Sequence, residues 1–241
     1  MNKPLLLSFA AVLWMLLPVS ANAQIVINEY SASNRNIQAD QDGDYEDYIE
    51  LYNTTSSPVN LGGYYLSDDF NDLLKWTFPA SVNISANGVL RIWASSKDKI
   101  AGSHIHTNFK LTQTKFEQIA LCDASGTILD SVSMQLTKKN HSRGRTTNGA
   151  ATWGIFTSPT PGNANSAAST AYTPMPVMDI AQGFFSGSQT VSISDADPNA
   201  VIRYTLDGST PTAASAIYST PITISSTKVL RAAAFSTQTG I

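Results

Sequence analysis

The sequence predicts an all-β protein of two small antiparallel modules, and three observations carry the prediction. After Ala23 the apolar residues fall in short segments rich in Ile, Val, Tyr, Trp and Leu, side chains that suit a pleated, half-buried surface. Gly, Pro, Asn and Asp punctuate those segments at the places where an antiparallel chain must reverse. No stretch of the mature sequence keeps a helical period long enough to bury one face of a helix.

Taken in order, the chain begins with Lys3, an apolar run from Leu5 to Leu17, Pro18, and the small-x-small triplet Ala21-Asn22-Ala23. This is the pattern of a cleaved secretory signal over residues 1–23. The run is shorter than the roughly 20 residues a spanning helix needs. The mature chain, expected to start at Gln24, contains no other run that could cross a bilayer as a helix. Export to the periplasm, cell surface or medium follows as an expectation.

Ile25 to Tyr30 reads as the opening strand, followed by Tyr48 to Tyr52, Tyr64 to Leu66, Lys75 to Phe78, Val89 to Ala94, Gln118 to Cys122 and Ile128 to Met134. Gly62-Gly63, Asn87-Gly88 and Ser125-Gly126 supply reversals. In Val89 to Ala94 the period of two sends Leu90 and Ile92 to the core and leaves Arg91 in water. Composition then changes between Pro159 and Pro176, where prolines and small residues read as a linker. Strand-like segments resume at Thr190 to Ser194, Val201 to Leu206, Pro221 to Ser225 and Lys228 to Phe235. The expected division is residues 24–165, a linker at 166–176, and a second module at 177–241.

A net charge of −3 with 14% charged residues argues against nucleic acid as a general partner, which would call for a basic face. The one cysteine, Cys122, permits no internal disulfide, so packing alone must hold the fold. Its place in an alternating segment predicts a buried thiol rather than a nucleophile.

Several of these segments carry a family resemblance. Ile25-Val26-Ile27-Asn28-Glu29-Tyr30, Asp47 to Asn53, Asn60 to Asp69, Lys75 to Pro79 and Pro159-Thr160-Pro161-Gly162-Asn163 follow one another in the order found in bacterial lamin tail domains. The first module resembles that family over about Gln24 to Asn165, which implies an immunoglobulin-like β-sandwich. Ile202 to Thr212, Tyr218, Pro221-Ile222 and Val229 to Ala232 resemble the small C-terminal sandwich of chitobiases and β-hexosaminidases. In those enzymes that module is an accessory, so the resemblance implies no catalytic residue here. The family pattern continues into one more strand beyond Phe235, and the second module therefore reads as truncated. The same pair of modules commonly precedes a kinase-like domain resembling spore-coat protein CotH, which implies a larger parent as an alternative.

For chemistry, the suggestive cluster is Asp40, Asp42, Asp44 and Asp47, because Ca²⁺ takes several carboxylate and carbonyl oxygens from a flexible loop. The spacing is not that of an EF-hand, and a solvated acidic turn is the alternative. Glu50, between Ile49 and Leu51, is expected to bond a backbone amide or a tyrosine hydroxyl; Asp68, Asp69 and Asp72 read as loop residues rather than a matching second acid. His104 and His106 share one face of a strand but lack a third zinc ligand, which leaves exposed loop histidines as the expectation. Lys138, Lys139, Arg143 and Arg145 form a basic patch on a solvated hairpin. Ser209 belongs to a tight turn. Tyr45, Tyr48, Tyr64, Tyr65, Trp76, Trp93 and Trp153 supply either core or a sugar-stacking face.

The residues therefore point to a non-catalytic exported protein that binds, adheres or spaces at a cell surface, with an unidentified protein or glycan as partner and no required cofactor beyond the calcium hypothesis. The alternatives are an accessory region of a larger secreted enzyme and a carbohydrate-binding module.

Overall fold

The computed structural model describes residues 24–236, so the signal segment lies outside the described residues. In chain order the first strands are β1 (Ile25–Ser31), β2 (Asp47–Asn53), β3 (Val59–Asn60), β4 (Tyr65–Ser67), β5 (Trp76–Thr77), β6 (Asn83–Ile84) and β7 (Val89–Ala94). They continue with β8 (Lys99–Ala101), β9 (His104–His106), β10 (Gln118–Cys122), β11 (Ile128–Ser133), β12 (Ser142–Arg145) and β13 (Trp153–Phe156). A single 3₁₀ turn, Gln113–Lys115, is the one helical element among the described residues.

Seven strands form the larger sheet in the order β13-β12-β1-β2-β7-β9-β8, and four form a second sheet in the order β11-β10-β4-β5. Pairing is antiparallel except where β7 meets β9. Period-two alternation sends Ile27, Ile49, Leu51 and Ile92 of the large sheet, and Leu66, Trp76, Ile119 and Leu121 of the small one, into one hydrophobic cluster. Each such side chain, fully buried, contributes about 1.5–3 kcal/mol. Cys122 is buried at the end of β10, and burial is the main cause of its raised thiol pKa.

The outer face of the large sheet is also covered. The register slips between Ile27 and Glu29, so Asn28 is an extra residue that turns Glu29 to the same face as Glu50 and Tyr48. Arg91, cross-strand partner of Glu50, lies on that face with its guanidinium 4.2 Å from the Trp93 ring centre, half-buried rather than in water as alternation alone suggested. Long loops cover the layer, and burying the aliphatic stem of Arg91 beneath them is the reason for the difference.

The chain after β13 remains on this sheet. Ser169 exchanges backbone hydrogen bonds with Ile155 at 2.8 and 2.9 Å, and the Tyr172 hydroxyl accepts from the Lys138 amide at 2.8 Å. Part of the segment read as a linker is thus docked on the first domain. The cross-strand pair Gly144 and Gly154 makes room for it: a Cβ on Gly144 would lie 2.9 Å from the Asn28 carbonyl oxygen, and one on Gly154 would lie 2.6 Å from the Ala168 Cβ.

The second module contains β14 (Val177–Met178), β15 (Gln189–Val191), β16 (Ile193–Ser194), β17 (Ala200–Thr205), β18 (Ala216–Ile217), β19 (Ile222–Ile224) and β20 (Arg231–Ser236). They pair as β14-β16, β15-β19 and β18-β17-β20. Val191 and Ile193 are its buried aliphatic residues among those described, a much smaller core than that of the first domain.

Because the atom nearest a Gly144 Cβ is backbone, it cannot move aside cheaply. Gly144→Ala is expected to lower the stability of the first domain by about 1–3 kcal/mol, read as an earlier midpoint in urea.

Candidate functional site

Residues 32–46 connect β1 to β2, a long connection for a compact sandwich and the kind that carries function. It is held from within. The buried Asn34 side chain donates to the carbonyls of Gln38 at 2.7 Å and Glu46 at 2.8 Å and accepts from the Ile37 amide at 3.0 Å. Asn140 reaches in from the chain before β12 to accept from the amides of Arg35 and Asn36. Asp40 accepts the amides of Asp42 and Asp44 at 2.8 and 3.0 Å, as Asx residues do in turns.

Three of the four aspartates expected to gather do so, since one oxygen each from Asp40, Asp42 and Asp44 can lie within 4.8 Å of the others. They gather around an ammonium group. Lys97 Nζ donates to Asp40, to Asp42 at 3.0 Å and to Asp44 at 2.7 Å, while Lys99 Nζ lies 2.7 Å from Asp42. The Lys99 and Lys97 hydrogen bonds hold the Asp42 carboxyl at about 2, and the three aspartates together raise Lys97 against the cost of its desolvation. Asp47 stands apart. Its Oδ1 accepts from the Asn34 amide at 3.2 Å, and burial, against the pull of that bond, lifts its carboxyl to about 6.

Asp47 lies instead in a cleft of about 260 Å³ with Ala32, Ser33, Asn34, Arg35, Tyr45, Glu46 and Lys110. Lys110 pairs with Glu46 at 3.1 Å. Tyr45 is 49% exposed, the most open of the aromatic residues considered for stacking, whereas Tyr48, Trp76 and Trp93 are buried. Trp76 is further committed by its indole bond to Asp98 at 3.0 Å.

The outer face of the large sheet holds the second constellation. Glu50 accepts the backbone N–H of Gly162, as expected of a buried carboxyl in that strand. Its matching acid, which the sequence reading did not find, is Glu29, its cross-strand partner on β1. Glu29 accepts from the Tyr48 hydroxyl at 2.5 Å. Both glutamates are 0% exposed; among the described residues the second oxygen of Glu50 has no hydrogen-bond partner, and Glu29 has the Ser142 hydroxyl beside it. Burial raises both carboxyls, and the charge of Glu29 raises Glu50 further, against the Gly162 amide and Arg91. The pair therefore keeps a proton where an exposed carboxyl would have lost it. Gly162 reaches Glu50 from the Pro159 to Asn163 turn with φ +82°, a backbone state that favours glycine. Asn28 and Asn165 secure the same closure: Asn28 Nδ2 donates to Asn148 and Asn165, and Asn165 Nδ2 donates to the Arg145 carbonyl at 2.6 Å.

The histidines differ from the expectation of exposed loop positions, because both lie on β9 and face the covered side of the sheet. His104 Nδ1 accepts from the Trp93 indole at 3.2 Å. His106 is buried between the Ser95 hydroxyl and the Gln41 side chain, each at 2.9 Å, and burial lowers its pKa. The basic hairpin is likewise divided, since Arg145 turns inward to Asp130 at 2.8 Å and to the Ile27 carbonyl. Asp68 is buried against Lys75 at 2.6 Å, Asp69 and Asp72 stay in their loop, and Ser209 is used by the Asp207 turn.

With this architecture in view, the family comparisons fall on its two halves. Residues 18–135 match the Lamin Tail Domain family, and residues 180–240 match the Chitobiase/beta-hexosaminidase C-terminal domain family. The chain is thus an all-β protein in which an immunoglobulin-like module that matches the lamin tail family is followed by a module that matches the chitobiase C-terminal family, as the resemblances implied. The closing strands β12 and β13 lie beyond the first match yet complete its seven-stranded sheet. No curated protein matches the chain.

A carboxyl whose folded pKa is raised supports the fold fully below its unfolded value of about 4.5 and loses that contribution as pH rises toward the folded value. Glu50→Gln keeps the acceptor for Gly162 without the ionisable proton. Its thermal midpoint, relative to the unsubstituted protein, should therefore become steadily more favourable as the pH is raised from 4.5 to 8; a constant difference would contradict the buried-acid assignment.

Proposed function

We propose that the chain is an exported, non-catalytic binding or spacer protein of the cell surface or extracellular space. The observation that supports this best is the fate of its two facing acids. A general acid and base must reach a substrate, yet Glu29 and Glu50 have no exposed surface and are sealed by the closing segment that bonds Glu50. Their position gives them a structural role. The apolar run before Ala23, with its small-x-small end, supports export. No helix among the described residues is long and apolar enough to cross a membrane.

Carbohydrate binding by the second module is a further reading, favoured by its match to a domain of chitobiases and β-hexosaminidases. Service as an accessory to a secreted catalytic domain, CotH-kinase-like or glycan-active, is the other, and it rests on the resemblance to module pairs that precede such a domain. The test is fractionation of cells expressing the full gene, followed by mass analysis. The expected result is a polypeptide beginning at Gln24, recovered outside the cytoplasm and retained on peptidoglycan or chitin. An uncleaved cytoplasmic chain would overturn the export reading. Undiminished retention after deletion of Val177 to Ile241 would remove the second module from the binding role.

Calcium binding at Asp40, Asp42 and Asp44 is proposed only in competition with Lys97, whose ammonium group lies among the same oxygens. Lys97→Met should then tighten calcium binding several-fold by calorimetry; the same heat from both proteins, or none from either, ends that reading.

A further inference from the structure

We propose that the cleft between the β1–β2 connection and Lys110 binds a single acidic sugar unit, through its carboxylate and adjacent hydroxyls. The argument rests on which of its groups the fold has already used. Lys110 and Glu46 neutralise each other across one wall at 3.1 Å. The Arg35 side chain makes no hydrogen bond or ion pair within the described protein, although its backbone N–H is fixed by Asn140 at 2.8 Å. Asp47 uses Oδ1 on the Asn34 amide, while Oδ2 accepts no bond from the described residues. Tyr45 presents a half-exposed ring whose hydroxyl is likewise unengaged.

One guanidinium and one carboxylate oxygen, which attract each other without a direct hydrogen bond, and one open aromatic ring thus line the same small cleft. The guanidinium fork matches a carboxylate in two parallel hydrogen bonds. A carboxylate oxygen accepts from hydroxyl groups, and an aromatic ring packs against the C–H face of a sugar. A volume of about 260 Å³ lies just under the range for drug-sized ligands, so one ring fits better than an oligomer held end to end. The site is also rigid before any ligand arrives. Asn34 from within, Asn140 from the side and Lys97 through the three aspartates all fix the loop that bears Arg35 and Tyr45, and a fixed loop loses little freedom on binding.

Charge distinguishes this ligand from its neighbours. A neutral sugar leaves the Arg35 fork without a carboxylate to hydrogen-bond, Asp47 attracting it only at a distance, and a simple carboxylate leaves Asp47 and Tyr45 idle. An amino acid satisfies both charges but has no ring for Tyr45. The proposal deepens the binding-module reading and rests on it, adding a ligand class and a place.

The test is titration of the purified chain with sodium D-glucuronate, D-glucose, sodium acetate and glycine, followed by amide NMR shifts. Saturable glucuronate shifts are expected in residues 33–47, with glucose, acetate and glycine each about tenfold weaker or worse. Arg35→Ala should cost about tenfold, Arg35→Lys less because charge remains without the fork, and Tyr45→Ala several-fold, with the folded spectrum intact in all three. Lys228→Ala, in the second module and outside the cleft lining, should bind as the unsubstituted chain does. No saturable glucuronate response, equal response to acetate, or glucuronate binding unchanged in Arg35→Ala would overturn the proposal. If the chain is still retained on cell-wall material in that event, the binding-module reading stands and only this site falls.

Discussion

Burying carboxyl groups on the outer face of a sheet creates a debt of hydrogen bonds that only a covering segment can meet, and the first domain is arranged around meeting it. Glu29 and Glu50 sit side by side on β1 and β2, away from the hydrophobic cluster and yet out of water. One acquires the Tyr48 hydroxyl and the other the Gly162 amide. Stripping an ion of its water costs several kcal/mol even after relaxation, on the order of what a whole domain has to spare. The neutral form and these donors reduce that cost. The Pro159 to Asn163 turn, far along the chain, is thereby tied to the first two strands, and Asn28 and Asn165 repeat the tie at a second point.

The connection between β1 and β2 is organised by a different kind of burial. Three aspartates close together would repel one another, but Lys97 supplies the positive centre from the chain that follows β7. The protein thus carries its own counter-ion, attached covalently and delivered by folding. The loop acquires a fixed shape as a result, and its far side forms the wall of the cleft that holds Arg35, Tyr45 and Asp47.

The strands and the hydrophobic cluster were legible because alternation is a local signal: Ile49 and Leu51 declare their face by spacing alone. The same rule failed for Arg91, since spacing assigns a face but not whether another segment will cover it. Glu29 was hidden for a related reason. The extra residue at Asn28 shifts the alternation midway through β1, so the acid opposite Glu50 cannot be found by counting. Glu50 itself was readable, because a charged residue between two aliphatic ones in a strand must bond something. Asp47 looked like a fourth member of the acidic cluster from its position in sequence. The turn at Asp40 carries the preceding aspartates toward Lys97, while Asn34 draws Asp47 the other way. His106 was misread because a strand of three residues, paired in parallel with β7 at one position, leaves almost no pattern in the sequence.

Cys122 carries a consequence beyond packing. The only thiol of the chain is shut inside the sandwich with its ionisation suppressed, so thiol–disulfide exchange has no group to act upon. The native state is therefore indifferent to the thiol–disulfide poise of its compartment: no internal disulfide has to be formed, and glutathione or dithiothreitol should leave its architecture untouched.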